Sequence, residues 1–321
     1  MNVGATEQQP LVSLGLPVWN GEKYLGETIE SLLGQTFPDF ELIISDNGST
    51  DRTAEICQAA AARDARVRYH RFPENIGAAK NYNHTFALAR GRYFKWAAHD
   101  DLLKPRYLEA CVAEFERHPE TVVVYPRTEL IDAAGRFTGS DPITLAESDA
   151  RPHRRLWAFD RQISLANPVF GLIRADALRQ TRLIDVFIKS DVVLLAELLM
   201  LGGFREVPEV LFRRRLHEER SLKANRSNAA LRAWFDPARR REGWWIPALV
   251  KLSWEHLRSV CRMPLPFSER LRCLGVTLWW RTWLTISWYG RRAWHWLKAL
   301  PRRAWRFITG RRRNSRPSGA Q

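Results

Sequence analysis

The residues best suited to chemistry in this sequence are acids that follow short apolar runs. Asp46 follows the run FELIIS, and Asp100 follows YFKWAAH. Hard divalent cations such as Mg²⁺ and Mn²⁺ bind carboxylate oxygens and often complete their coordination with substrate phosphates. We therefore expect Asp100 to contact a metal or a diphosphate, and Asp46 to accept a hydrogen bond from a nucleotide base. Asp51 and Asp101 have a simpler explanation, as caps of the helices that follow them.

These acids lie within a pattern of alternating strands and helices. Short apolar runs predict strands, and three- to four-residue apolar spacing predicts helices. The strands are Leu11–Leu16, Phe40–Ser45, Val67–Phe72, Tyr93–Ala97 and Thr121–Tyr125, and the helices are Tyr24–Leu33, Thr53–Arg63, Ala78–Arg90 and Pro105–His118. Such alternation is typical of a parallel sheet with helices on both faces, which binds ligands at the carboxyl ends of its strands. No P-loop or GxGxxG motif is present, so neither a Walker nucleotidase nor an ordinary dinucleotide site is indicated.

Four segments in order resemble the family 2 glycosyltransferases: VSLGLPVWNGEKYL, the turn ISDNGSTDRT, ENIGAAKN and ARGRYFKWAAHDDLLKP. The resemblance extends from Val12 to His217. It implies a GT-A-like α/β fold, with a Rossmann-like, mostly parallel sheet flanked by helices. It also implies inverting transfer of a sugar from a nucleotide-diphosphate donor, with Mg²⁺ or Mn²⁺ as cofactor.

The resemblance also implies roles for individual residues on the donor side. Pro17, Val18 and Asn20 would line the nucleotide base and ribose, and Asp46 would bind the base. Lys80 occupies the position where the family usually carries a basic residue near the nucleotide. Each assignment rests on the match to the family motif at that position.

The metal-binding motif departs from the family pattern. Asp100 matches the last acid of the family's D-x-D motif, but Ala98 replaces the first acid. This change removes a ribose contact and leaves the metal with fewer carboxylates. His99 is either a polar contact to the donor in its place or a buried structural histidine. Asn47 likewise replaces the second acid of the more usual D-D-G-S-T-D turn.

The second half of the chain supplies the acceptor side. Inverting transfer needs a general base, and the resemblance assigns this role to Asp191, with Ser190 where the family often has another acid. The alternative is that Asp191 only stabilises the start of a helix. Arg214 and His217, in the segment RRRLH, are expected to clamp the diphosphate or complete the metal shell, or else to form the edge of a lid.

Charge separates the body of the chain from its end. The net charge is +15, and residues 270–321 hold 13 Lys or Arg and no Asp or Glu. We expect a disordered N-terminus over residues 1–10, a GT-A domain over 11–225, a Trp- and Arg-rich helical region over 226–310 and a disordered basic tail over 311–321. The four cysteines form no CxxC pair and no signal peptide is visible, which favours a cytoplasmic protein.

The basic, Trp-rich region indicates a peripheral contact with a membrane. Arginines interrupt its apolar stretch, so it lacks the roughly 20 apolar residues of a membrane span. Tryptophan with basic charge is typical of a helix lying on anionic lipid, and we expect residues 270–316 to make that contact. The alternatives are packing on the catalytic domain or on another copy, and binding to nucleic acid, although no specific nucleic acid is expected. The acceptor would be a glycan or a lipid-linked saccharide. The competing class is a non-catalytic relative that binds nucleotide sugars or docks on membranes.

Overall fold

The computed structural model of the chain describes residues 9–141, 148–162, 166–218, 230, 234–235 and 248–279. The chain divides into two compact units, residues 1–277 and 278–321. The second unit is described only at residues 278 and 279, which are helical and carry the exposed side chains of Leu278 and Trp279. The part of the predicted membrane contact beyond residue 279 lies outside the described residues, as do the tail over 311–321 and residues 1–8.

One nine-stranded sheet organises the first unit. Its strands are β1 Val12–Val18, β2 Phe40–Asp46, β3 Val67–Arg71, β4 Tyr93–Trp96, β5 Leu102–Leu103, β6 Thr121–Ile131, β7 Phe137–Ser140, β8 Leu172–Arg174 and β9 Gly203–Arg215. The helices are α1 Leu25–Leu33, α2 Thr53–Arg63, α3 Ala78–Ala87, α4 Tyr107–Arg117, α5 Pro152–Gln162, α6 Ala175–Arg179, α7 Ser190–Leu201 and α8, which is Ala248–Arg262. A 3₁₀ turn spans Asn167–Phe170, and residues 267–279 are helical.

The first half of the sheet is parallel, as predicted. The order is β3-β2-β1-β4, and β1 pairs in parallel with both β2 and β4. The chain therefore runs outward from β1 in one direction and then returns to its other side. At such a reversal the loops after neighbouring strands diverge and leave a crevice at the carboxyl ends of the strands.

The second half of the sheet is mixed. β8 is antiparallel to both β4 and β6, whereas β6 and β9 are parallel. The predicted strand that ended at Tyr125 continues through Pro126 to Ile131, and the register with β9 shifts next to Pro126. Proline has no N–H to donate, so a strand accommodates it at such an irregularity. The predicted α/β architecture, a mostly parallel sheet flanked by helices, is confirmed.

Helix α7 carries the core of the second half. Every residue from Val192 to Met200 is buried, and this helix is therefore enclosed on all sides. Helix α8 packs on α7, and Val260 and Met263 join the same apolar cluster. Cys273, from the helical residues 267–279, also belongs to that cluster. The domain limits expected from the sequence stay a prediction.

Candidate active site

Two loops at the carboxyl edge of the sheet are joined by hydrogen bonds. We call residues 18–22, which begin at the end of β1, and residues 46–53, which run from the end of β2 to the start of α2, the paired loops. The backbone N–H of Asn20 donates to Ser49 Oγ over 3.0 Å, and the N–H of Thr50 returns a bond to Asn20 Oδ1 over 2.9 Å. The N–H of Gly21 donates to Thr53 Oγ1 over 2.9 Å. Asn20 can take part because it adopts the left-handed conformation, with φ of 50°.

Asp46 holds the second of these loops together. Its side chain is fully buried. Its Oδ1 accepts the Ser49 N–H over 2.9 Å, and its Oδ2 accepts the Tyr69 hydroxyl over 2.9 Å and lies 3.4 Å from Arg71 Nε. Both carboxylate oxygens thus already have protein partners. The base contact expected of Asp46 stays a prediction, and the geometry gives this acid a structural task as well. Asp51 Oδ1 accepts the N–H of Thr53, the first residue of α2, over 3.0 Å, although the residue at the N-cap position is Arg52.

A cavity opens beside the paired loops. Three residues expected to contact the donor line it, namely Pro17, Val18 and His99. Asn20 and Lys80 are not among its lining residues, and Lys80 is exposed on α3. The other lining residues, which sequence reasoning did not single out, are Trp19, Asn47, Asn75, Ala78, Asn81, Tyr82 and Trp234. Aromatic rings and side-chain amides are suited to the flat face and polar edge of a nucleotide base.

The cavity-facing amides are held in place by the backbone. Asn47 Oδ1 accepts the Ile76 N–H over 2.9 Å, and Asn75 Oδ1 accepts the Gly77 N–H over 2.9 Å. Asn47 Nδ2 donates to Asn75 Oδ1 over 2.9 Å. One available signal for Asn47 was its position directly after β2, at the edge of the sheet where parallel α/β folds bind ligands.

The second group of polar side chains is an acid cluster, which we define as Asp100, Asp101, Asp191, Arg214 and His217. Asp100 Oδ2 lies 2.8 Å from His217 Nε2, which joins the two predicted metal ligands across the loop after β4 and the end of β9. Asp101 Oδ1 accepts a backbone N–H from β9 over 2.8 Å. Asp101 is therefore tied to β9, and the structure does not record the helix cap that the sequence allowed for it.

Burial and charge move the pKa values of the two neighbouring acids apart. Burial raises the pKa of Asp100, but the hydrogen bond from His217 and the proximity of His99 outweigh it, and the net pKa is lowered. Burial and the charge of Asp100 raise the pKa of Asp101, against the opposing effect of Arg214. Asp100 therefore ionises readily, whereas Asp101 resists ionisation.

A buried lysine, Lys95, lies on β4. Burial lowers the pKa of Lys95 to about 7. Its Nζ donates to the Phe170 carbonyl over 2.5 Å and to the Trp96 carbonyl over 3.1 Å, and it lies 4.8 Å from the ring centre of Tyr107. The bond to Phe170 holds the 3₁₀ turn Asn167–Phe170, whose Asn167 accepts a hydrogen bond from Arg214.

Asp191 lies in the first turn of α7. The residue before this helix, Lys189, has φ of 68°, so the chain turns sharply into α7. Asp191 Oδ1 accepts the N–H of Val192 over 2.9 Å. Burial raises the pKa of Asp191, although that bond and the charge of Arg214 oppose the rise. A carboxylate whose pKa is raised towards neutrality is better suited to proton abstraction than an ordinary one.

The Asp100–His217 pair fits a divalent cation. Ligand atoms on adjacent positions of an octahedral ion with bonds of about 2.1 Å lie about 3 Å apart, close to the 2.8 Å between Asp100 Oδ2 and His217 Nε2. Carboxylate oxygens suit Mg²⁺ and Mn²⁺, and imidazole is a common ligand of transition-metal ions. Among the described residues, no group of three or more His, Cys, Asp or Glu could hold a metal. These two residues would therefore need oxygens from the substrate or water to complete the coordination.

Comparison with known proteins identifies the family and the fold. Residues 13–185 match the model of the family described as Glycosyl transferase family 2. Chondroitin synthase from Escherichia coli is 38% identical over 128 residues, which are 40% of this chain and 18% of that protein. This chain thus spans less than a fifth of that relative's length.

Two solved structures share the fold at low sequence identity. S. aureus TarS, residues 1–349 in complex with UDP-GlcNAc, has a TM-score of 0.60 and 15% identity, and covers 83% of this chain and 71% of its own. The mannosyltransferase PcManGT from Pyrobaculum calidifontis, in complex with GDP-Man and Mn²⁺, has a TM-score of 0.50 and 16% identity, and covers 88% of this chain and 85% of its own. The predicted GT-A-like fold is confirmed.

Proposed function

Because the chain belongs to the family 2 glycosyltransferases, we propose that it transfers a sugar from a nucleotide-diphosphate donor to a hydroxyl of a glycan or lipid-linked saccharide, with inversion and with the help of Mg²⁺ or Mn²⁺. Transfer of a sugar is the activity of the family. The donor class is supported by neighbours of the same fold that bind UDP-GlcNAc and GDP-Man. The metal, the inversion and the acceptor belong to the proposal.

The cavity beside the paired loops is the proposed site of the nucleotide. Trp19 and Tyr82 offer aromatic surface, and Asn47 and Asn75 offer polar groups to the base and ribose. The diphosphate would extend from there towards the acid cluster, where Arg214 supplies a positive charge. This path follows the carboxyl edge of the sheet, where parallel α/β folds bind their ligands.

Asp100 and His217 are the proposed ligands of the divalent cation. When bound, the cation would act as a Lewis acid on the leaving diphosphate. The lowered pKa of Asp100 keeps this carboxylate ionised, as a metal ligand must be. Arg214 would add a positive charge near the leaving diphosphate, and its hydrogen bond to Asn167 restrains the Arg214 side chain.

Asp191 is the proposed general base, and its partly buried position with a raised pKa carries the mechanistic proposal. The acceptor hydroxyl would lose its proton to Asp191 as its oxygen attacks the anomeric carbon, while the diphosphate leaves from the opposite face. Attack opposite the leaving group inverts the anomeric configuration. The raised pKa of Asp191 places its basicity nearer to neutral pH.

The test replaces Asp191 by Asn and measures transfer and nucleotide binding separately. Asp191→Asn should lower the transfer rate by about 10²- to 10⁴-fold, the usual contribution of a general base, and leave nucleotide affinity within about twofold of wild type. Asp185 provides a matched control, since it accepts the N–H of its own successor, Val186, over 2.7 Å. Asp185→Asn should transfer normally.

Transfer by Asp191→Asn at the wild-type rate would exclude this residue as the base. The anomeric configuration of the first product, followed by NMR, tests inversion independently. A product that retains the donor configuration would contradict the single displacement. Nucleotide binding without transfer to any glycan acceptor would support the non-catalytic relative.

We further propose that the reaction takes place at the cytoplasmic face of a membrane, where lipid-linked saccharides are accessible. Among the described residues, no helix is both long enough and apolar enough to cross a bilayer. A peripheral contact would bring the enzyme to its acceptor. The basic composition of residues 270–316 supports this proposal.

A further inference from the structure

Two helices near the end of the first unit expose large apolar side chains. On α8 these are Val250 and Trp254, and on the helical residues 267–279 they are Phe267 and Leu271. Members of each pair are four residues apart, so each pair lies on one face of its helix. Phe267 is 74% exposed and Trp254 is 59% exposed. Each pair forms an apolar patch on its own helix, and we call the four side chains together the apolar face.

The exposed charges within residues 248–279 have one sign. Residues 248–279 contain two acids, Glu255 and Glu269. Glu255 is 1% exposed and pairs with Arg182, and Glu269 is mostly buried between His153 and Arg272. The exposed charged side chains in this range are basic: Lys251, Arg258, Arg262 and Arg272. The surface therefore combines apolar and positive groups.

The opposite side of these helices is firmly packed. Val260, Met263 and Cys273 are buried in the cluster that includes α7. Arg182 donates to Glu197 on α7 over 3.0 Å and to Glu255 on α8 over 2.5 Å. A buried ion pair of this kind is costly to break from one side. The apolar face is therefore fixed to the helix whose first turn contains Asp191.

We propose that the apolar face docks on the surface of an anionic bilayer. Aromatic and aliphatic side chains enter the boundary between headgroups and acyl chains, and exposed Arg and Lys bind anionic headgroups. A protein partner or a second copy would need acidic groups to match this surface. In the sequence that follows Glu269, 13 Lys or Arg and no acid continue the same charge. This inference assigns a membrane contact within residues 250–271, largely before the segment expected from the sequence.

Docking of this kind would serve the proposed function. The apolar face, α8 and α7 form one packed body, so a bilayer bound at this face would stand at a fixed distance from Asp191. A lipid-linked acceptor in that bilayer would then meet Asp191 at a constant distance from the membrane surface. This consequence rests on the proposed transfer, whereas the docking itself does not.

The experiment measures sedimentation of the full chain with vesicles of phosphatidylcholine alone and of phosphatidylcholine mixed with phosphatidylglycerol. Wild type should bind the anionic vesicles, and less so at high salt. The double variant Phe267→Asn, Leu271→Asn should bind them at least about tenfold more weakly, because it removes apolar surface from the interface. Arg258→Gln combined with Arg272→Gln should reduce the preference for anionic over neutral vesicles.

Two controls match these changes elsewhere on the surface. Phe137, on β7, is 62% exposed, and Phe137→Asn should leave vesicle binding unchanged. Arg136 is highly exposed beside Asp132, and Arg136→Gln should leave the anionic preference unchanged. Nucleotide binding by every variant should equal that of wild type, which separates a failure of docking from a failure of the proposed transfer.

Wild-type vesicle binding by the Phe267→Asn, Leu271→Asn variant would overturn the proposal. So would a change from dimer to monomer in light scattering with vesicle binding retained, because the face would then be an interface between copies. Binding of wild type to neutral and anionic vesicles alike would contradict the role given to the basic side chains.

Discussion

The paired loops and the acid cluster lie along the same sheet edge but are built in opposite ways. In the paired loops each important polar group has a partner, from the Asn20 N–H on Ser49 to both oxygens of Asp46. In the acid cluster Asp100 and Asp101 repel one another, and His217 Nδ1 is buried with no hydrogen-bond partner among the described residues. One region is complete without a ligand, and the other carries charge that a ligand would balance.

We therefore expect the two regions to have different roles in ligand binding. A fully hydrogen-bonded loop gives the nucleotide a preformed surface, which lowers the entropy lost on binding. A cluster with unbalanced charge stores electrostatic energy that a cation and a diphosphate would release. Substitutions should therefore destabilise the first region and can stabilise the second, a contrast that separates a functional site from ordinary packing.

The largest effect should come from the turn of the paired loops. Gly48 has φ of +69°, and a Cβ there would stand 2.7 Å from the backbone carbonyl carbon of Glu74. Gly48→Ala should lower the free energy of unfolding by about 3 kcal/mol or more, since it adds a backbone clash to left-handed strain. Urea denaturation measures this loss.

A second glycine, Gly135, separates the effect of the backbone clash from the effect of left-handed strain. It has φ of +78°, but the nearest atom to its Cβ would be 3.7 Å away. Gly135→Ala should therefore cost about 1 kcal/mol, from strain alone. Equal losses for the two variants would show that Gly48 is not packed as described, and the rigidity assigned to the paired loops would be wrong.

A second prediction concerns stability in the acid cluster. The pKa of Asp101 is raised in the folded protein, so ionisation costs folding energy as pH rises above the ordinary carboxyl value near 4. Asp101→Asn retains an oxygen for the Arg215 N–H and removes the charge. Without divalent metal, this variant should be more stable than wild type by about 1–2 kcal/mol at neutral pH, and the gain should vanish near pH 4.

Asp51 in the paired loops should respond with the opposite sign. Burial acts to raise its pKa, but hydrogen bonds from Thr53 and from the Glu22 N–H outweigh it, and the net pKa is lowered. Its stabilisation is therefore present above the ordinary carboxyl pKa and is lost as pH falls. Asp51→Asn should be less stable than wild type at neutral pH and nearly equal to it in acid. If Asp101→Asn and Asp51→Asn both destabilise the protein at neutral pH, the predicted difference between the acid cluster and the paired loops is wrong.

A further prediction tests the hydrogen bonding of the Thr53 hydroxyl between the paired loops. Thr53 Oγ1 accepts the Gly21 N–H over 2.9 Å in a buried setting. Thr53→Val keeps the shape but removes the acceptor, and should cost about 1–2 kcal/mol in unfolding free energy. Thr53→Ser, which keeps the hydroxyl, should recover most of that loss. Nucleotide affinity should fall in Thr53→Val more than in Thr53→Ser.

The sequence was sufficient for the parallel half of the fold, because β1 to β4 and the helices between them follow local apolar spacing. The α2 helix matches its predicted limits, Thr53–Arg63. The mixed half was less accessible, because the pairing of β8 with β4 and β6 joins segments far apart in the chain. Similarly, Pro126 ended the predicted strand, although tertiary pairing with β9 carries β6 past it.

The candidate site shows the same limit. Residue types and the family pattern pointed to Asp100, His217 and Asp191, and the structure brings the first two into contact. The residue types and the family pattern could not show that Asp46 bonds Ser49 and Tyr69, because those contacts depend on how the loops fold over the strand ends. Nor could they show which amides face the cavity, since this depends on backbone N–H groups of the loop before α3.

We expect the acid cluster to hold a nucleotide-bound divalent cation through Asp100 and His217. The direct test is thermal stabilisation of wild type and His217→Ala by UDP, GDP, CMP and dTDP, each with and without Mn²⁺. His153→Ala is the matched control, since His153 forms another histidine–carboxylate pair, 2.7 Å from Glu269. At a hundredfold excess over Kd, one nucleotide should raise the wild-type Tm by about 5 °C or more with Mn²⁺. His217→Ala should lose the Mn²⁺-dependent part of this shift, and His153→Ala should keep it. An equal, Mn²⁺-dependent shift in wild type and His217→Ala would contradict the claim.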